Sequence, residues 1–341
     1  MRNIFIILTI TFLLSVTCDG QELLCGTPSI LDDSITIAQL RSIRHAQSVR
    51  PNTDTLYFRL QIHIIRNNTH ETSLNISALE RDLDPLNTYY MPAAIKFYVC
   101  NGYNYIDNDL YYEFHYTDES YLITTYNDPY AINIFFADKV YNSSGSSVAG
   151  YSYYPSSNRN FIAINNQYVG QMTLMHEVGH FFNLRHTHDH AFGYELVNGT
   201  NCETAGDLCC DTPADPQLSY SNVNADCIYI GTDTDANGDL YNPNPHNIMS
   251  YARKVCRNLF SNNQYERIRD AAFLPNRQAL CSHRLVLENG ALTNDTTISN
   301  DYVIVQNYSM NADSIRVSAC KEIILDHSVV LEKGVTLQPK D

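Results

Sequence analysis

Apolar and polar residues alternate in "TLYFRLQIHII" (residues 55–65), which predicts a half-buried strand. Before it, residues 35–49 carry a helical period. After it, "NISALERDLDPLNTYY" predicts a helix, with Ser77 as the candidate cap. "AIKFYVC" and "AINIFFAD" predict strands, and "GYSYYP" and "NFIAINN" shorter ones. "QMTLMHEVGHFFNL" returns to a helical period through Leu174, Val178, Phe181 and Phe182. Strands and helices thus alternate from 55 to 184, the pattern of an α/β (α+β) domain with a mixed twisted sheet. The pattern then breaks. Residues 187–248 are rich in Asn, Asp, Gly, Pro and Cys, with little periodicity, and predict irregular chain that needs cross-links. "QYERIRDAAFL" (264–274) predicts one more helix. From about 285, short β-runs are separated by Asn, Asp and Gly. They predict a small all-β C-terminal appendage, solenoid-like in its three weak repeats.

The ends and the charge narrow the class. Ile4 to Val16 is apolar behind a basic start, too short to span a bilayer comfortably, and small or polar residues follow. This reads as an export signal cut near Gly20. Lipid attachment at Cys18 is the weaker alternative, because "SVT" is a poor lipobox. No later segment has the apolar length of a membrane helix. Of 341 residues, 22 are Lys or Arg and 37 are Asp or Glu, a net charge of −15 that repels nucleic acid. Ten cysteines become nine if Cys18 leaves with the signal. Exported chains normally pair their cysteines, so an odd number leaves one thiol over. The expected state is a secreted monomer.

The chemistry sits in "HEVGHFFNLRH" (176–186). His176 and His180 are four apart, so on a helix they share a face and can hold one cation. Glu177 can reach a water bound to that cation. His186 is six residues past His180, off that face, so the helix must stop and the chain must turn back. The turn needs a left-handed residue near Asn183, and asparagine is the usual substitute for glycine there. His188 is a rival third ligand, since 186 and 188 face the same side in extended chain.

At this point the chain resembles the metzincin clan of zinc endopeptidases, whose pattern is HExxHxxGxxH with a later Met-turn. Closer still, it resembles the pappalysin family, in its exported bacterial, cytophagalysin-like branch. The stretches that carry the likeness are "HEVGHFFNLRHTH", "NCETAGDLCCDTPADP" and "NPHNIMSYARKVCRNLFSNNQYERIR", within residues 55–275. The resemblance implies a metzincin-like catalytic domain with an active-site helix above an irregular lower lobe. It implies Zn2+ on His176, His180 and His186, Met249 as a hydrophobic floor beneath them, and peptide or protein substrates lying along an edge strand near "SVAGYSYYP". Glu177 is then the general base of a zinc-dependent endopeptidase, and Tyr251 a candidate oxyanion donor. The expected division is a signal (1–20), a leader (21–50), a catalytic domain (51–284) and a β-module (285–341). The rivals are a secreted binding or adhesion protein with a structural zinc site, and a zinc amidase acting on a non-protein bond.

Three further expectations follow. Cys202 pairs with Cys210, with Cys209 as its competitor, and Cys227 pairs with Cys256, the second pair also being suggested by the resemblance. "DTDANGD" resembles the start of a calcium loop through Asp233, Asp235, Asn237 and Asp239, so Ca2+ is a second candidate ion; the alternative is a solvated acidic turn. "LLCGTPS" puts a Cys–Gly step in the leader. If the leader folds over the cleft, Cys25 can take the fourth zinc position and impose latency, relieved by cleavage in the basic stretch Arg41 to Arg50. Other metzincin zymogens use a similar step, although their preceding Arg is absent here. The alternative is a disulfide from Cys25 to Cys100, Cys281 or Cys320.

Overall fold

The computed structural model describes residues 23–28, 34–49, 53–281, 284–294, 296–311, 314–326, 329–331 and 334–339. The expected signal, with Cys18 and Gly20, lies outside the described residues, as does Arg50. Along the chain run α1 (Ser34–Val49), β1 (Leu56–Arg66), α2 (Ile76–Tyr90), β2 (Ile95–Asp107), α3 (Asp109–Tyr112), β3 (Glu113–His115) and α4 (Glu119–Tyr126). Then come β4 (Ile132–Ala137), β5 (Lys139–Tyr141), β6 (Ser147–Val148), β7 (Gly150–Ser152), β8 (Phe161–Asn165) and α5 (Thr173–Phe181). After a long irregular stretch follow α6 (Asn262–Ala272), α7 (Pro275–Gln278), β9 (Arg284–Leu292), β10 (Thr296–Met310), β11 (Ile315–Asp326), β12 (Val330–Leu331) and β13 (Val335–Pro339).

The main sheet has the order β2-β1-β4-β8-β7. Its first four strands are parallel, and β7 is antiparallel at the edge. Every residue of β4 and β8 is buried, as expected of central strands covered on both faces. On one face Phe58, Leu60, Ile62 and Ile64 pack with residues of α2 and α5, including Leu86, Tyr90, Val178 and Phe181. On the other, Ile65, Phe114, Phe135 and Phe161 form a second cluster. The fold is the expected mixed α/β arrangement. One detail differs: α2 is capped by Asn75, whose side chain accepts from the Ala78 amide at 3.0 Å, so Ser77 lies inside the first turn. Asn75 is the last residue with extended backbone, and that position defines the cap.

The lower lobe between α5 and α6 has only one short helical turn, Lys254–Cys256. A small cluster of Leu218, Val223, Ala252 and Cys256 is its apolar centre. Such a lobe buries too little periodic surface to hold itself, and two disulfides cross it, Cys202–Cys210 and Cys227–Cys256. Both are the expected pairs. Cys209, the competitor, is a buried thiol pushed well up by that burial, and therefore inert. The C-terminal strands pair in parallel, β9 on β10, β10 on β11, β11 on β13, as successive coils around Val303, Val305, Met310, Ile315 and Val317. Cys100–Cys320 ties this module to β2. With Cys100 joined to Cys320, and no disulfide between Cys25 and Cys281, the alternative disulfides for Cys25 do not form.

The leader is also part of the fold. Leu40 of α1 is buried, and Arg44 pairs with Asp270 of α6 at 2.8 Å. The stretch expected to be cut, Arg41 onward, is helical through Val49. A protease needs extended chain, so cleavage there requires the end of α1 to unwind.

Peptide mapping without reduction should link 100–320, 202–210 and 227–256 and leave Cys25 and Cys209 as thiols. Replacing Cys227 and Cys256 by Ser should cost about 2–4 kcal/mol in denaturant unfolding. A map that joins Cys227 to Cys281 would contradict this lobe.

Candidate active site

The site begins at α5, which carries His176, Glu177 and His180 on its buried length. Its C-terminal end closes through Phe182 N to Val178 O and Leu184 N to Gly179 O. Asn183 follows with φ of 66°, the expected left-handed residue. The chain reverses there and brings His186 back to the other two imidazoles. His180 Nε2 lies 3.1 Å from His176 Nε2 and 3.1 Å from His186 Nε2. The outer nitrogens of two rings are engaged elsewhere, His176 Nδ1 with Ile248 O at 2.7 Å and His180 Nδ1 with Leu184 O at 2.8 Å. These bonds leave the Nε2 atoms facing one centre. Burial pushes all three imidazoles down, His180 to about 3, so they are neutral donors. The buried carbonyls that the helix leaves open at the end of α5 are satisfied by arginine side chains: Arg277 Nε donates to Phe181 O at 2.9 Å and Arg267 Nε to Asn183 O at 2.7 Å. Asn183 is wholly buried, and neither atom of its side-chain amide finds a partner.

The fourth donor comes from the leader. Cys25 Sγ, His176, His180 and His186 present ligand atoms all within 4.8 Å of one another, and this is the only such cluster among the described residues. Cys25 Sγ is 3.4 Å from His180 Nε2 and donates to Glu177 Oε2 at 3.5 Å. The leader enters as an extra strand beside β7, running parallel to it at Cys25 and Gly150. Ala149 N donates to Leu24 O at 2.9 Å and Gly26 N to Gly150 O at 2.7 Å. Thr27 completes the seat. Its hydroxyl accepts from Ser152 N at 2.8 Å and donates to Glu177 Oε2 at 3.1 Å. Burial pushes the Glu177 carboxyl up to about 7, while the Cys25 and Thr27 contacts pull it down. Its other oxygen, Oε1, is buried without a hydrogen bond.

Met249 is fully buried against α5. A Cβ on Gly179 would stand 2.6 Å from its sulfur, so the fourth residue of "HEVGH" has no room for a side chain. The Tyr251 hydroxyl donates to Cys25 O at 3.2 Å. His188, the rival ligand, is not in the cluster. It stacks on His186 at 5.0 Å and lies 4.4 Å from the Tyr251 ring. The "DTDANGD" residues form a tight hairpin turn. Asp235 spends its carboxylate on the amides of Val197, Asn237 and Asp239, and Asp233 accepts from the Tyr229 hydroxyl. Among the described residues, the carboxylates of Asp233, Asp235 and Asp239 do not group as a close set of ligand atoms. Sequence reasoning missed Thr27, Arg267, Arg277 and Lys254. Only Thr27 had a signal, since two residues past Cys25 in extended chain it faces the same side.

Residues 114–272 match the family model Peptidase_M43, described as pregnancy-associated plasma protein-A. An "Extracellular metalloprotease" of Pyricularia oryzae is 24% identical over 275 residues, which cover 72% of this chain and 87% of the relative. Among solved structures, Tannerella forsythia mature mirolysin in complex with a cleaved peptide aligns at 18% identity with a TM-score of 0.47. Mirolysin in complex with a compound aligns at 18% with a TM-score of 0.46. Each alignment covers 67% of this chain and 96% of the other.

Two substitutions test the turn and the floor. Asn183→Ala should lose about 1–2 kcal/mol from the left-handed backbone, and Asn183→Gly should stay within about 1 kcal/mol of the parent. Equal stability of the Ala and Gly variants in urea would refute the backbone argument. Gly179→Ala should cost about 1–3 kcal/mol by overpacking Met249 and lower bound metal, read by thermal unfolding and metal analysis.

Proposed function

We propose an exported zinc endopeptidase, held latent by Cys25, with Glu177 as its general base, a reading supported by the match of residues 114–272 to the Peptidase_M43 family model. The observation that carries this reading is the place of the Cys25 sulfur. It lies at once within reach of the three imidazole nitrogens and of the Glu177 carboxylate. An attacking water must stand in that same place. The donors suit zinc: three neutral imidazoles and a thiol, with Nε2 atoms 3.1 Å apart. Ligands at about 2.0–2.1 Å around a tetrahedral ion are separated by about 3.3 Å.

Zinc, when bound, supplies a Lewis acid that makes water acidic near pH 7. The chain's own residues do the rest. Glu177, once Cys25 and Thr27 leave, takes the proton of the attacking water and returns it to the leaving amine. Tyr251 already donates to a peptide carbonyl, that of Cys25, and donates to the scissile carbonyl oxygen as charge develops there. Substrate lies extended along β7 and takes over the backbone bonds that the leader makes to Ala149 and Gly150. Met249 packs and does not ligate. The three disulfides and the extracellular relative support export, with residues 1–20 as signal, 21–50 as leader, 51–284 as catalytic domain and 285–341 as β-module.

One observation favours a second reading. Three histidines and a cysteine form a closed set, as in structural zinc sites of binding proteins. Against it stands Glu177, a buried carboxylate with an unpartnered oxygen that a structural site does not need.

Glu177→Gln should retain one equivalent of zinc and lose at least about a hundredfold in peptide hydrolysis. Near-normal turnover in that variant would refute the base assignment. Cys25→Ser in the full chain should hydrolyse peptides, chelator-sensitively, before any leader cleavage, and should cut its own leader early. A structural site predicts instead that Cys25→Ser loses metal and gains no activity.

A further inference from the structure

The mechanism leaves two buried cations unused, both just past the Met249 turn. Lys254 and Arg257 are 5% and 6% exposed. The Lys254–Cys256 turn is anchored by the Cys227–Cys256 disulfide, and Arg257 Nε donates back to Ala252 O at 2.8 Å. Lys254 Nζ donates to Thr173 Oγ1 at 3.3 Å, at the first residue of α5, and lies 3.6 Å from the centre of the Tyr168 ring. An ammonium at the N-terminal end of a helix adds to the positive end of the helix dipole, and the two together attract an anion. The charges of both cations reach into the centre, where they bear on His176 and Glu177.

The leader marks where a peptide would meet this charge. Its strand continues from Cys25 through Leu24, and Leu23 N donates to the Tyr168 hydroxyl at 3.1 Å. Tyr168 therefore touches the strand two residues from Cys25 and carries Lys254 on its ring. A peptide that replaces the leader beside β7 passes over the same tyrosine. On the reading that the site is a protease, we propose that Lys254 determines specificity: it selects an Asp or Glu side chain in the substrate, on the Tyr168 side of the metal and within two residues of the scissile bond. Arg257 strengthens the positive potential there. Lys254 touches none of the reacting atoms. It acts on which peptide is held, and its effect is confined to one position.

The test uses enzyme activated from the full chain, with zinc, on matched quenched peptides. They differ only in carrying Glu, Gln or Lys at one of the two residues on either side of the cut, which mass spectrometry locates. Glu should exceed Gln in kcat/KM by about tenfold at one position, and the ratio should shrink as salt is raised. Lys254→Met should bring that ratio close to one, Lys254→Arg should keep it, and Lys254→Glu should turn the preference toward Lys. Equal rates for Glu and Gln at all four positions would overturn the inference, as would an undiminished ratio in Lys254→Met. Should Lys254→Met fail to fold, the parent enzyme's Glu/Gln ratio and its salt dependence still decide. Chelator-sensitive cleavage without the preference sinks this inference alone, whereas no cleavage of any peptide sinks the protease reading with it.

Discussion

Three imidazoles must converge on one point from a helix that can supply only two. His176 and His180 share a face of α5; His186 joins them because the chain reverses at Asn183 with positive φ. Much of the surrounding structure serves that reversal. Arg267 and Arg277 satisfy the carbonyls that the terminated helix leaves bare, from elements some ninety residues further on. Met249 fills the space under the helix, and Gly179 is bare because that sulfur lies against it. The buried, unpartnered amide of Asn183 is the local cost of using asparagine where glycine would suffice.

The edge strand β7 is the second constraint. An antiparallel edge offers free amides and carbonyls, and an exposed edge invites another strand. Here the leader takes it, and its register beside Gly150 places Cys25 over the imidazoles and Thr27 on Glu177. Docking thus rests on backbone bonds and one threonine, and needs no arginine ahead of the cysteine. The leader has a second anchor where α1 lies on α6 through Leu40 and the Arg44–Asp270 pair. With both ends held, a thiol that leaves the centre returns to it at high effective concentration.

The lower lobe has different physics. It lacks a periodic core, so its shape depends on two short disulfide loops and on Asp and Asn side chains that bind their own backbone amides, as Asp235 does at the "DTDANGD" hairpin. That economy positions Met249 and Tyr251 in irregular chain, with Lys254 on the lobe's one short helical turn. The β-module, by contrast, has its own apolar interior and a single covalent tie to the sheet at Cys100–Cys320.

Short-range physics was readable along the chain. The alternation in 55–65, the runs "AINIFFAD" and "NFIAINN", the helix around "HEVGH" and the left-handed Asn183 depend on residues only a few positions apart, and the structure has them all. The histidine spacing and the two lower-lobe disulfides were legible for the same reason, helped by motifs that resembled a known family. Long-range placement was not legible. Nothing local distinguishes Cys25 as a thiol beside the imidazoles from Cys25 as half of a disulfide; the packing distinguishes them, by joining Cys100 to Cys320 and setting the Cys25 sulfur among the three histidines. The cap of α2 fell at Asn75 instead of Ser77 because extended backbone ends at Asn75. Lys254, Arg267 and Arg277 carry no motif, and their roles exist only because the fold sets them against Tyr168 and the two ends of α5. Periodicity and turn chemistry are properties of neighbours in sequence, but a buried charge or a free thiol acquires its meaning from whatever the completed packing places beside it.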